Sequence, residues 1–190
     1  FSISLSLAML GFALLAKGLD TGKHRVSAAI IISLSALSHG IVLLFVFGGA
    51  ALMLVVWNKR ESFQFGAKVI ALAVLLSSFW VIPFVTSHAY MTDMKYEPRP
   101  SGVNDSFWKM FFPLHILLDV SITALAILGA VALVRSRHKA GTWITLLTLV
   151  LAAGVFIARN SLPVIGLLWN PRILPFFFLL RYFLFAVGLY

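Results

Sequence analysis

The side chains best suited to chemistry in this sequence fall into three groups. The first follows an aromatic, proline-containing edge, Phe79-Trp80-Val81-Ile82-Pro83-Phe84, and continues as His88-Ala89-Tyr90-Met91-Thr92-Asp93-Met94-Lys95-Tyr96-Glu97. His88, Asp93 and Glu97 supply its titratable groups. A carboxylate pair such as Asp93 and Glu97 can serve acid–base chemistry, or bind a divalent cation through oxygen ligands. At i, i+4 on a helix the two charges would repel, and Pro98 argues against a sustained helix there. Two loop carboxylates are more often plain solvated charges. Trp80, Phe84, Tyr90 and Tyr96 equally suit an interfacial aromatic belt.

The second group is Ala158-Arg159-Asn160-Ser161-Leu162-Pro163 with Leu168-Trp169-Asn170-Pro171-Arg172-Ile173-Leu174-Pro175-Phe176. Arg159 and Arg172 carry planar guanidinium forks that can grip a lipid phosphate bidentately. The plainer alternative is snorkelling toward headgroups.

The third group is ionisable or polar residues inside apolar runs: His39, His115, Asp119 and Arg181. Such groups are costly at membrane depth and face the protein interior. His115 and Asp119 lie four apart, so on a helix they share a face and can hydrogen-bond. A buried His–Asp pair that locks helix packing is the plainer reading; a proton or substrate relay is the sharper one. Arg181 needs a partner or a polar cavity. His39, within Ser38-His39-Gly40, reads as a capping or packing residue at a helix break. The sequence has no H-E-x-x-H metal spacing, no phosphate-cradling glycine loop and no nucleophile elbow. With no cysteine, disulfides and thiolate metal sites are excluded.

The elements that position these residues are apolar blocks. Hydrophobic residues make up 61% of the chain and charged residues 11%, with a mean hydropathy of +1.02. Soluble domains are closer to half apolar and a quarter charged. The blocks run from Phe1 to about Ala16, then over about 26–57, 65–85, 108–134, 142–158 and 173–190. A crossing needs ~20 residues, at ~1.5 Å rise through ~30 Å of hydrocarbon. The chain therefore reads as an all-α, polytopic transmembrane bundle of about six or seven helices, forming part of one transmembrane domain. It starts without Met inside one apolar run and stops inside another, so a fragment of a longer chain is expected.

The block 26–57 is too long for one simple crossing. It is either one long tilted helix or a hairpin that turns back at His39. Lys59, Arg60 and Lys68 in the 58–68 linker, and Arg135, Arg137 and Lys139 in the next basic linker, place 58–64 and 135–141 in the cytoplasm by the positive-inside tendency. The loops 87–107 and 159–172 are then outside. The basic 17–25 linker joins the cytoplasmic set only if the second block turns back, so charge mildly favours the hairpin. The net charge of +9 reads the same way, pointing to membrane lipids as partners and not to nucleic acid.

The stretch F-W-V-I-P-F-x₃-H-A-Y-x-T-D-M-K-Y-E resembles a segment of large actinobacterial multi-pass membrane proteins of the "6-pyruvoyl-tetrahydropterin synthase related" type, a label that implies no pterin chemistry. The stretch L-W-N-P-R-I-L-P-F-F-F-L is similar to the second signature of that family. The resemblance covers about 60–190 and rests on these two windows. It implies GT-C-like glycosyltransferase architecture in the bacterial plasma membrane, a polyprenyl-phosphate sugar donor, and a cell-envelope glycan or glycolipid acceptor. It also implies a catalytic acid upstream of Phe1. Asp93, Glu97 and His88 are then weak catalytic candidates, and Arg172 and Arg159 lipid-phosphate candidates. The alternatives are a non-catalytic scaffold among envelope-synthesis membrane proteins and a transporter of lipid-linked intermediates.

Overall fold

A computed structural model describes residues 1–87, 109, 111–161 and 170–190, except for the side chains of 84, 157–161 and 170–172. The described residues are helical almost throughout and contain no strand. In hydrocarbon a helix alone satisfies its own backbone groups. The helices are α1 (Ser2–Thr21), α2 (Arg25–Ser38), α3 (Gly40–Trp57), α4 (Arg60–Thr86), α5 (Ile116–Arg135), α6 (Lys139–Ser161) and α7 (Asn170–Leu189). Five of them, α1, α3, α4, α5 and α6, contain stretches long and apolar enough to cross a membrane. Helix α2 is shorter, as is the apolar Ile173–Leu189 part of α7. The chain packs as two units, Phe1–Thr92 and Asp93–Tyr190.

The first unit settles the ambiguous block. Helices α1 and α2 are antiparallel: Ser4 Oγ donates to the Ser35 carbonyl at 2.8 Å, and Ser35 Oγ donates to the Ser4 carbonyl at 2.9 Å. Helix α3 runs alongside α1 in the same direction. Phe1 meets the His39 ring edge-on, Phe12 meets Phe45, and Trp57 Nε1 donates to Asp20 Oδ1 at 2.8 Å. Block 26–57 is therefore a hairpin of two helices, with both open ends at the Asp20 end of α1. His39 is the turn. Its backbone is extended (φ −166°, ψ 119°), and its Nδ1 accepts from the Ile41 N–H at 3.3 Å, capping α3. The capping and packing reading of His39 matches this geometry.

Helix α4 returns along the hairpin. Phe65 packs over Gly18 and under the Arg25 guanidinium, and Trp80 approaches Gly40 at the far end. Seating these helices closely takes small buried residues: Ser4, Ala8 and Gly11 on α1, and Ala28, Ala29, Ser33, Ser35 and Ala36 on α2. Gly22, at φ 70°, closes α1 in the left-handed conformation that glycine adopts without strain.

In the second unit α5 and α6 are antiparallel, joined by a turn in which Leu133 packs on Gly141. Helix α7 runs parallel to α5, pairing Asp119 with Arg181 and Gly129 with Leu184 and Gly188. The backbones meet there: a methyl group on Gly129 would collide with the Leu184 carbonyl, and one on Gly188 with the Leu125 carbonyl. Two sequence boundaries shift. The block expected from Trp108 is interrupted: Lys109 and Phe111 are helical, Phe112 to His115 are not, and the long helix starts at Ile116, because Pro113 lacks an N–H and biases Phe112 away from helix. Residues 159–161 and 170–172, expected in an outer loop, belong to α6 and α7.

Candidate functional site

The charged centre of the second unit is built where α5 begins. Asp119 sits in the first turn of α5, where a carboxylate favours the helix dipole. Its Oδ2 accepts from the Leu114 N–H at 2.7 Å, so it satisfies a backbone donor of the irregular segment before the helix. Its Oδ1 accepts from Arg181 Nη2 at 2.9 Å. The same Nη2 lies 2.8 Å from the Asp119 carbonyl and 2.8 Å from Thr123 Oγ1. Arg181 Nη1 reaches the Phe111 carbonyl at 3.4 Å, and the guanidinium lies 5.3 Å from the Phe112 ring centroid. Asp119 is 1% exposed and Arg181 2%.

This arrangement is a neutralised ion pair that also ties down the backbone of Phe111 and Leu114. Irregular backbone at membrane depth persists only where protein or a cavity supplies its hydrogen bonds, and the pair supplies two of them. Both carboxylate oxygens of Asp119 are thus engaged as acceptors. The Nε of Arg181 has no partner among the described residues.

Beside the pair lies a groove between α5, α6 and α7 with a volume of about 420 Å³. Its walls include Ala126, Ile127, Thr148, Leu149, Ala152 and Phe156, with Phe111, Phe177 and Arg181 toward one end. The lining is almost wholly apolar. At the Phe111 end the wall is a packed cluster of Phe111, Val155, Leu174 and Phe177. The volume falls within the ~300–1,000 Å³ range of small-molecule sites. Thr145, also on the wall, has a buried hydroxyl without a partner among the described residues.

The residues singled out from the sequence fare differently. Arg181 has the partner it required, and that partner is Asp119. The expected His115–Asp119 pair is not formed. His115 precedes α5 with extended backbone (φ −62°, ψ 140°), and its side chain is exposed while Asp119 turns inward to Arg181. The i, i+4 spacing assumed that both residues lie within a helix, whereas the helix starts between them. His88, Asp93 and Glu97 lie outside the described residues, as do the side chains of Arg159 and Arg172. Sequence reasoning missed Thr123, although it lies four residues after Asp119 on the same helix. It also missed Phe111 and Phe112, which carried no signal of their own. Among the described residues no group of three His, Cys, Asp or Glu gathers as a metal site.

Comparison with curated proteins and with solved structures gave no match. The family described as "6-pyruvoyl-tetrahydropterin synthase related domain; membrane protein" matches residues 1–190. A chain of apolar, membrane-crossing helices matched over its whole given length belongs to that family of membrane proteins.

Proposed function

We propose that this chain is part of a GT-C-like integral membrane glycosyltransferase that takes a polyprenyl-phosphate-linked sugar and builds cell-envelope glycan or glycolipid. The observation that carries the reading is the apolar groove between α5, α6 and α7. A prenyl chain needs an apolar track at membrane depth, and this groove offers one. Arg172 and Arg159 are the proposed phosphate grips, because guanidinium forks match phosphate oxygens. The 87–107 and 159–172 segments are proposed to lie on the outer face, where transfer occurs. Asp93 and Glu97 are proposed as acceptor-side residues, with a divalent cation as companion to the phosphate.

The test uses the full-length protein in lipid nanodiscs with a photoreactive polyprenyl-phosphate analogue. Crosslinks mapped to the Ala126–Ala130 and Thr148–Phe156 stretches are expected, and Ala152→Trp, which fills the groove, should remove them. Crosslinks confined to other helices would sink the reading. Arg172→Ala should weaken capture of the analogue while leaving helix content unchanged.

A further inference from the structure

The hairpin at His39 has a consequence at the opposite end of the first unit. It brings together two linkers that are separate in sequence. The Asp20–Trp57 hydrogen bond, Phe65 packed on Gly18, and Arg25 over Phe65 at 5.8 Å fix the α1–α2 turn against the start of α4. Lys17, Lys23, Arg25, Lys59, Arg60 and Lys68 thus gather at one end, all exposed. The two carboxylates nearby are Asp20, held by Trp57, and Glu61. No ion pair involves any of these six cations among the described residues.

Three features suit this end to an anion. Helices α2 and α4 both start here, and neither has a side-chain N-cap hydrogen bond. The first-turn N–H groups of a helix have no partner within the helix, which makes a helix N-terminus suited to an anion. The start of α2 carries Lys23 and Arg25 with no acidic residue in its first turn, against the preference of the dipole for negative charge, and the start of α4 carries Lys59 and Arg60 beside a single carboxylate, Glu61. Finally, Ser62 in the first turn of α4 is 2% exposed, and its hydroxyl has no partner among the described residues. A buried polar group left unpaired is costly.

We infer that this end of the first unit binds the phosphate headgroup of an anionic phospholipid, held between the starts of α2 and α4 by Lys23, Arg25, Lys59 and Arg60. The occupant is a lipid because the site rings the ends of membrane-crossing helices, at the depth where headgroups lie. Basic pockets between such helices are the sites where phosphate headgroups collect. The expected leaflet is the cytoplasmic one, by the positive-inside tendency.

The experiment takes the full-length protein in nanodiscs made from a phosphatidylglycerol and phosphatidylcholine mixture. Native mass spectrometry counts the retained lipids. Wild type should retain phosphatidylglycerol in preference to phosphatidylcholine. Lys23→Gln with Lys59→Gln should lower that preference by about five-fold for each charge removed. The Arg135→Gln with Arg137→Gln control, which alters basic residues outside this cluster, should leave it intact. In a background without other cysteines, labelling of a single introduced cysteine checks that the variants keep wild-type topology. Equal retention by wild type and the Lys23/Lys59 variant would overturn the inference. So would an equal loss in the Arg135/Arg137 control, which would point to diffuse charge attraction. Full displacement of the lipid by inorganic phosphate would overturn the lipid assignment in favour of a free anion. None of these readouts depends on sugar transfer.

Discussion

Arg181 of α7 donates to Oδ1 of Asp119 on α5 at 2.9 Å, while the other carboxylate oxygen of Asp119 accepts from the Leu114 N–H at 2.7 Å. One carboxylate thereby joins two parallel helices and the irregular segment that precedes one of them. Breaking a buried pair leaves an uncompensated charge, which costs about 3–5 kcal/mol. Asp119→Asn and Arg181→Met should each destabilise the protein by that order, read as a lowered midpoint in detergent-resistant thermal unfolding. The Asp119→Asn/Arg181→Met double variant should recover much of the loss, because no charge is stranded and Asn keeps an acceptor for the Leu114 N–H. Additive losses in the double variant would show that the two residues do not act as a pair.

The glycine crossing of α5 and α7 makes a second prediction. Gly188→Ala places a methyl group against the Leu125 carbonyl, and Gly129→Ala places one against the Leu184 carbonyl. Backbone atoms cannot rotate aside, so the helices must separate, at a cost of about 3 kcal/mol or more. Gly154→Ala is the contrast. A methyl group there meets nothing within 4 Å, and alanine is the better helix former by ~1 kcal/mol. Its unfolding midpoint should stay the same or rise.

The reciprocal serine bonds of α1 and α2 are worth less. Ser4→Ala and Ser35→Ala should each cost about 0.6–1.7 kcal/mol, the scale of interhelical hydrogen bonds within membranes. Ser35→Leu should cost more, because Ser35 is fully buried and a larger side chain would push α1 away. Interhelical crosslinking yield between α1 and α2 would report that separation directly.

Trp57→Phe keeps the ring but removes its donation to Asp20. A hydrogen bond to a charged acceptor contributes roughly 1.5–3 kcal/mol. The expected result is a stability loss at the lower end of that range, since Asp20 is exposed. A new ion pair between the freed Asp20 carboxylate and a neighbouring cation would offset part of the loss, and Asp20→Asn on the Trp57→Phe background tests this. If the second substitution lowers stability further, Asp20 has found a new partner.

The sequence by itself determined that this is a multi-helix membrane protein. That conclusion needs only the lengths of the apolar blocks and the thickness of the bilayer. It also marked Arg181 and Asp119 as residues that must be paired or sheltered, because charge in hydrocarbon is costly wherever the chain folds. It could not choose the partner. Spacing offered His115 to Asp119, since both were counted on one helix. The chain placed Arg181 there instead, 62 residues away in sequence. The choice follows from Pro113, which delays the start of α5, and from Gly129 and Gly188, which let α7 close on α5 until the guanidinium reaches the carboxylate. The turn at His39 was likewise legible only as an ambiguity. Local pattern permits either a kink or a hairpin, and the contacts of Phe1, Phe12 and Asp20 with α3 decided for the hairpin. Periodicity and composition act along the chain, so they fix which segments enter the membrane. Pairing between segments depends on how closely two backbones can approach, and only the tertiary structure decides that.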